Sequence, residues 1–202
     1  MMKKYNINNT TFRILGLYRT NYGRSLHLRE ISREAGVDVK AVHLQLKKLE
    51  KLNVLSGVVK GRNKEFTLNL GNLATKYFMV LAETFATIAY IERFFVIKKI
   101  TTEIGDKTEG AVILFGSLVE EKETEESDVD LYVLTERRLD ENIFTEIGSL
   151  VGREINVKYT SKDRFLKGLE DGDPLIREVA SKHIVLRGVD DFCDVMWRYY
   201  AK

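Results

Sequence analysis

The sequence contains few of the residues that cross-link secreted proteins or bind soft metals. Of its 202 residues, one is a cysteine, one is a proline and three are histidines. Cys193 alone cannot form an internal disulfide or a cysteine metal cluster, and a single thiol is typical of a reducing compartment. The first nine residues also lack the apolar core of a signal peptide. We therefore expect a cytoplasmic protein without a zinc site.

Long uninterrupted apolar runs are also missing. The most apolar stretch, from Asn72 to about Gly105, contains Glu83, Glu92 and Arg93, and charges at bilayer depth are costly. We therefore expect no membrane span and interpret the stretch as one long helix, or two, joining the two ends of the chain. Its apolar surface exceeds the needs of one core, so it could pair with a second copy in a homodimer.

Charge is distributed unevenly, although the formal net charge is only +2. Residues 1–71 carry a net charge of +9, and residues 72–202 carry −7. With 44% hydrophobic and 31% charged residues, the composition is that of a globular chain with one large domain or two small ones. The asymmetry indicates a basic, nucleic-acid-facing module at the amino-terminal end, joined to a different module.

The amino-terminal third has the order helix, helix, turn, helix, hairpin. Thr10 or Thr11 is predicted to cap the first helix, and Asp38 is predicted to cap the third. The other segments are a helix over 28–35 and strands over 54–59 and 65–70. The third helix is predicted to bury one face, formed by Val39, Val42, Leu46, Leu49 and Leu52.

This order, with the sequence Leu46-Lys-Lys-Leu-Glu-Lys-Leu52 before a hairpin with a basic tip, resembles a winged helix-turn-helix domain of archaeal and bacterial regulators. The resemblance implies that the third helix lies in the major groove of double-stranded DNA and that the wing reaches the backbone or minor groove. The residues that would face DNA are Lys40, His43, Lys47, Arg62 and Lys64. Alternatively, the basic face is ordinary surface, or the fold serves protein contact.

A second pattern lies in the carboxyl-terminal part of the chain. An apolar run over 111–115 stops at Gly116-Ser117, and after ten mostly acidic residues the chain re-enters an apolar run that carries Asp128 and Asp130. The pattern indicates a strand, a glycine turn and a second strand. Because side chains alternate along a strand, both carboxylates project on one face of it.

These residue types suit a site for a metal and a nucleotide. Two neighbouring carboxylates repel each other, so a folded protein keeps them ionised most easily with a cation between them. Mg²⁺ prefers one or two carboxylates together with substrate phosphates. A Gly-Ser turn can bring backbone N–H groups and a hydroxyl close to a phosphate, because glycine has no side chain to block the approach.

The motif Gly116-Ser117, ten residues, Asp128-Val-Asp130 resembles the signature of the DNA polymerase beta-type nucleotidyltransferases, particularly the minimal ones. The resemblance implies that the Gly-Ser turn holds the triphosphate of a nucleotide. It also implies that the Asp pair carries Mg²⁺ as the cofactor.

A third acidic position of that family is different in this chain. The family places a carboxylate on a further strand, here predicted over 152–159, and the matching residue is Asn156. An amide can ligate a metal but cannot accept a proton as a carboxylate does. Glu154 lies on the same face and could substitute for the missing carboxylate. The glutamate-rich segment 120–126 also departs from the family, and we expect it to be an exposed loop.

Together these patterns predict an α/β (α+β) chain. A winged helix-turn-helix is expected over 1–71, a helical linker over 72–105, and a polymerase beta-like nucleotidyltransferase domain with a mixed sheet over 106–202. The further elements predicted there are helices over 141–151, 163–169 and 175–182 and a short strand over 183–187.

The implied reaction is the Mg²⁺-dependent transfer of a nucleoside monophosphate from a nucleoside triphosphate, with ATP expected, to a hydroxyl acceptor. The acceptor is a protein side chain or a small molecule, and the sequence favours neither. Two alternatives stay open. One is a transcription regulator whose carboxyl-terminal domain senses a nucleotide or is inactive, and the other is an antitoxin-like protein with a protein partner. Asn156 and the acidic loop favour the regulator, whereas the intact Asp pair opposes it.

Overall fold

The computed structural model describes residues 7–120, 127–137 and 142–202, and the chain divides into two compact units. The first unit extends to Phe85, and the second runs from Ala86 to Tyr200. Both units combine helices with a sheet, which confirms the predicted mixed α and β class. None of the helices over these residues has both the length and the apolar character that a bilayer crossing requires.

The amino-terminal unit contains three short helices and a three-stranded antiparallel sheet. Its elements before the long helix are α1 (Asn9–Gly16), β1 (Leu26–His27), α2 (Leu28–Ala35), α3 (Val39–Lys51), β2 (Leu55–Lys60) and β3 (Asn63–Leu68). The strand order is β1-β3-β2. The two-residue strand β1 has no counterpart among the predicted elements, because two residues carry no periodicity of their own.

The caps of these helices confirm one prediction and correct another. Asp38 Oδ1 accepts hydrogen bonds from the backbone N–H of Lys40 and Ala41 at 2.9 and 3.3 Å, as predicted for α3. The prediction of a Thr10 or Thr11 cap on α1 is wrong. Asn8 is the cap, because its Oδ1 accepts from the N–H of Thr11 at 3.1 Å while Thr11 Oγ1 accepts from the N–H of Asn8.

The core of the amino-terminal unit forms between α1, α2 and α3 and where α2 and α3 contact the sheet. Tyr18 is fully buried there, and its hydroxyl donates to the carbonyl of Phe66 at 2.9 Å. Val42, Leu46 and Leu49 are buried on α3 as predicted. Val39 is not buried, since it is the first residue of α3 and 40% of its surface is exposed.

The apolar stretch after residue 72 forms two helices, α4 (Leu73–Arg93) and α5 (Phe95–Ile104). The break is at Phe94, whose backbone is extended, with φ −117° and ψ 99°. No glycine or proline marks this position in the sequence, so residue type alone does not distinguish one helix from two. In the second unit, Thr87 Oγ1 donates to the carbonyl of Val185 at 2.8 Å and so fixes the last turns of α4 on the sheet.

The second unit is built on a four-stranded mixed sheet in the order β6-β5-β4-β7. Strand β4 is antiparallel to β5 and β7, and β5 is parallel to β6. A short 3-10 turn (Gly105–Lys107) precedes the sheet. The elements are β4 (Ala111–Phe115), β5 (Val129–Leu134), α6 (Asn142–Val151), β6 (Ile155–Thr160), α7 (Lys162–Asp171), α8 (Pro174–Ser181), β7 (Ile184–Arg187) and α9 (Val189–Tyr200). The predicted mixed sheet is confirmed, and the predicted start of α6 at Glu141 lies outside the described residues.

One face of this sheet packs against α5 and α6. Val129, Leu131 and Val133 of β5 are fully buried on that face, as their alternation predicts. Two apolar residues of this unit are largely exposed: Leu150, near the end of α6, is 53% exposed, and Tyr159 of the edge strand β6 is 51% exposed. The alternation therefore fixes the buried face of the central strand better than that of the edge.

Candidate nucleotide and metal site

The site begins where β4 ends in the turn Gly116–Glu120. Gly116 has φ +77°, a backbone conformation that favours glycine. A Cβ at this position would lie 2.5 Å from Asp130 Oδ2. The Gly116 carbonyl accepts from the N–H of Val119 and Glu120 at 3.2 and 3.3 Å, and Ser117 is exposed at the tip. The glycine therefore lets the turn and the Asp130 carboxylate approach each other.

Strand pairing places the predicted acidic and amide residues at the same end of the sheet. Asp130 pairs with Phe115 of β4 on one side and with Asn156 of β6 on the other. Asp128 precedes β5 and is exposed. Asn156 Nδ2 lies 3.5 Å from Asp128 Oδ2 and 3.4 Å from Asp130 Oδ1. The structure therefore brings together Gly116, both aspartates and Asn156, which are distant in sequence.

The donor set at this point fits a hard divalent cation. Two carboxylates and an amide face one another at a solvent-accessible edge, and oxygen donors of this kind are what Mg²⁺ selects. A half-turn of the Asn156 carboxamide exchanges Nδ2 for Oδ1, the atom that ligates a cation. Over the described residues, no three His, Cys, Asp or Glu side chains form a metal-binding group. Phosphate or water oxygens would have to complete the coordination.

Glu154 lies at the edge of this arrangement. It precedes β6, its side chain is exposed, and its carbonyl accepts from the N–H of Val129 at 2.9 Å. The parallel register pairs Val129 with Ile155, so continuing it by one residue places Glu154 beside Asp128. The backbone position is therefore compatible with a role next to the Asp pair.

Two long-range hydrogen bonds hold the loops of the site, and no sequence pattern predicts either of them. Tyr90 Oη, from α4, donates to the carbonyl of Leu118 in the glycine turn at 2.9 Å. Arg153 Nη1 donates to the carbonyl of Ser127, directly before the Asp pair, at 2.8 Å. Both bonds join a side chain to a backbone group more than 25 residues away, a relation that no local motif encodes. A further contact joins Lys182 to Glu120 at the end of the turn.

A separate groove lies within the amino-terminal unit. It measures about 780 Å³, and four of the five residues predicted to face DNA line it, namely His43, Lys47, Arg62 and Lys64. Lys40 is exposed near the start of α3 and is not among the lining residues. His27 and Arg29, which the sequence pattern did not single out, also line the groove.

One acidic residue of this groove partly neutralises its positive charge. Glu50 lines it, and its Oε1 lies 2.6 Å from Lys64 Nζ. The groove therefore holds a mixture of charges in which cationic side chains predominate.

Comparison of the sequence with models of known protein families gives a match in the carboxyl-terminal part of the chain. Residues 98–191 match the family model described as polymerase beta, nucleotidyltransferase. The matched segment includes Gly116, Ser117, Asp128, Asp130 and Asn156, and it supports a nucleotidyltransferase domain with a nucleotidyltransferase-like function. No curated protein and no solved structure matches the chain. The amino-terminal unit lies before the matched residues.

Proposed function

We propose that the second unit is a Mg²⁺-dependent nucleotidyltransferase that transfers a nucleoside monophosphate from a nucleoside triphosphate, with ATP as the expected donor, to a hydroxyl acceptor. The observation that carries the proposal is the close approach of the glycine turn to the Asp pair. A Cβ at Gly116 would meet Asp130 at 2.5 Å, so the phosphate-binding and metal-binding elements share one small volume.

In the proposed reaction, a bond forms between the acceptor oxygen and the α-phosphorus. The bond from the α-phosphorus to the oxygen that bridges the β-phosphorus breaks, and pyrophosphate leaves with that electron pair. Asp128 and Asp130 would hold Mg²⁺, with Asn156 Oδ1 as a further donor. When bound, the cation supplies charge neutralisation on the phosphates and lowers the pKa of the acceptor hydroxyl.

The proton of the acceptor hydroxyl needs a separate destination. Asn156 cannot take it, since an amide has no basic site at neutral pH. A carboxylate of the Asp pair, or Glu154 at the entry of β6, is the group placed to receive it. Gly116 and the exposed Ser117 hydroxyl would orient the triphosphate so that the α-phosphorus faces the acceptor.

We also propose that the amino-terminal unit is a winged helix that binds double-stranded DNA. The order of three helices followed by the β2-β3 hairpin supports this, as does the groove that gathers His43, Lys47, Arg62 and Lys64. Phosphate contacts from such side chains make binding strongly salt-dependent. DNA binding would then localise the transferase activity at the bound DNA, or regulate that activity.

A second candidate function follows from Asn156. If proton acceptance fails without a third carboxylate, the second unit binds Mg²⁺ and nucleotide without turnover and acts as a sensor for the DNA-binding unit. Such a protein would be a transcription regulator, or an antitoxin-like protein that binds a partner protein.

The test is pyrophosphate release with each of the four ribonucleoside triphosphates, with and without Mg²⁺, in a cell extract that supplies hydroxyl acceptors and measured against the extract alone. Wild type is compared with the double variant Asp128→Asn/Asp130→Asn and with Asp171→Asn, an exposed aspartate at the end of α7. We expect Mg²⁺-dependent release in wild type and Asp171→Asn, and its loss in the double variant. Binding without release in the presence of acceptor would favour the sensor, and release unchanged in the double variant would refute the site.

A further inference from the structure

Lys182 lies beside the glycine turn, although it follows Gly116 by more than 60 residues. Strand β7 pairs with β4 so that Val185 is opposite Ile113 and Ile184 is opposite Leu114. Continuing this antiparallel register by two residues places Lys182 opposite Gly116. Asp130 flanks β4 from the β5 side, so Lys182 lies on the opposite flank of the same turn.

The side chain of Lys182 is held in this place by an ion pair. Its Nζ contacts Oε1 of Glu120, and the N–H of Glu120 in turn donates to the carbonyl of Gly116 at 3.3 Å. Lys182 keeps 56% of its side chain exposed, against 23% for Glu120. The hydrogen bond to Glu120 raises the pKa of Lys182 above its ordinary value, so the lysine is fully charged at neutral pH.

The negative charges at this turn favour a cationic side chain such as Lys182 beside it. The carboxylate-bearing residues Glu120 and Asp130 lie in or beside this turn, and a triphosphate adds several further negative charges. Ion pairs between exposed side chains are weak, because water screens them. A triphosphate presents several anionic oxygens to an ammonium group, so it can displace the single carboxylate of Glu120.

We propose that Lys182 binds the phosphates of the nucleotide. In the nucleotide-free protein, Glu120 forms an ion pair with Lys182 and so competes with those phosphates. This inference rests on the proposed function of the same site. It makes Lys182 a substrate-binding residue and Glu120 a built-in competitor that weakens nucleotide binding. It also predicts selectivity for triphosphates over monophosphates, since a monophosphate bound through its sugar and α-phosphate presents fewer charges to the lysine.

If Lys182 binds phosphate and Glu120 competes, substitutions at the two positions change nucleotide affinity in opposite directions. This distinguishes the proposal from a purely structural ion pair. Lys182→Gln should weaken Mg²⁺-ATP binding about tenfold, since it removes a charge-assisted hydrogen bond. Glu120→Gln should strengthen binding by about threefold or more, because it frees the lysine and removes a repelling charge. A purely structural pair would give two variants that lose stability alike and shift nucleotide affinity in the same direction or not at all.

The experiment is calorimetric titration of the full-length chain with Mg²⁺-ATP and with AMP. Wild type is compared with Lys182→Gln, Lys182→Arg, Glu120→Gln and Lys167→Gln, the last an exposed lysine on α7 that serves as a matched control. Thermal unfolding of each variant checks that it is folded. We expect opposite shifts for Lys182→Gln and Glu120→Gln with ATP, partial rescue by Lys182→Arg, wild-type behaviour of Lys167→Gln and little effect on AMP.

The outcomes test the role of Lys182 and the proposed function separately. If wild type binds Mg²⁺-ATP but Lys182→Gln binds it equally well, or Glu120→Gln weakens binding, this inference is overturned and the proposed function stands. If wild type binds neither Mg²⁺-ATP nor, in parallel titrations, the other three ribonucleoside triphosphates with Mg²⁺, both are overturned.

Discussion

Replacing Gly116 by alanine tests the geometry of the candidate site most sharply. The new Cβ would lie 2.5 Å from Asp130 Oδ2, which is closer than real Cβ contacts allow, so the carboxylate must rotate away. The backbone at φ +77° adds a cost of about 1–2 kcal/mol for a residue with a side chain. The variant should therefore lose stability modestly but should lose the arrangement of its metal ligands.

The expected loss of activity is much larger than the loss of stability. A misplacement of about 1 Å in a reacting group costs on the order of a hundredfold in rate, and Asp130 has to move by at least part of that distance. We expect Gly116→Ala to release pyrophosphate about a hundredfold more slowly than wild type, with weaker dependence on Mg²⁺. Urea denaturation should give a free energy of unfolding lower by about 1–2 kcal/mol.

Gly152 supplies a control for the backbone cost alone. It has φ +70°, and a Cβ there would meet no atom within 4 Å. Gly152→Ala should therefore be destabilised about as much as Gly116→Ala while it keeps most of its activity. Equal activities for the two variants would refute the claim that Gly116 makes room for the Asp130 carboxylate.

Three further predictions concern the third acidic position, the support of the turn and the groove. Asn156→Asp restores a carboxylate opposite Asp130. Because a positioned base contributes about 10²–10⁴-fold, turnover at saturating Mg²⁺ should rise by about tenfold or more. A fall in steady-state turnover would contradict the claim that a carboxylate at this position accepts the proton. Tyr90→Phe removes the hydrogen bond to the Leu118 carbonyl, and urea denaturation should show a free energy of unfolding lower by about 1 kcal/mol. An unchanged denaturation midpoint would mean that this bond does not stabilise the turn. Arg62→Gln should weaken binding to double-stranded DNA and lower the slope of log affinity against log salt by about 1; a titration at several salt concentrations with an unchanged slope would exclude a phosphate contact.

The parts of the fold that local chemistry determines could be predicted from the sequence. Asp38 is followed by free backbone N–H groups at a helix start, so its capping role follows from residue type alone. The apolar alternation of Val129, Leu131 and Val133 gives the buried face of β5. The glycine at position 116 marks the end of β4 because few other residues tolerate a turn so close to a neighbouring strand.

The remaining features depend on contacts that no window of sequence contains. Asn8 and Thr11 both suit a helix start, and only their reciprocal hydrogen bonds identify Asn8 as the cap. The break at Phe94 carries no glycine or proline, so no residue type marks it in the sequence. Tyr90 and Arg153 act on backbone carbonyls more than 25 residues away. Such partners become visible only when the strand order is known.

The central claim is that the second unit transfers the α-phosphoryl group of a nucleoside triphosphate, with its nucleoside, to a hydroxyl acceptor. The direct measurement is the fate of the label in ATP. Wild type and Asp128→Asn/Asp130→Asn are incubated with Mg²⁺, a cell extract as the source of hydroxyl acceptors, and ATP labelled in either the α- or the γ-phosphate. We predict that wild type forms α-labelled covalent product above the level of the extract alone, and that the double variant does not. Attachment of the γ-label in place of the α-label above that level, equal transfer of the α-label by the double variant, or binding of ATP with no transfer of the α-label would contradict the claim.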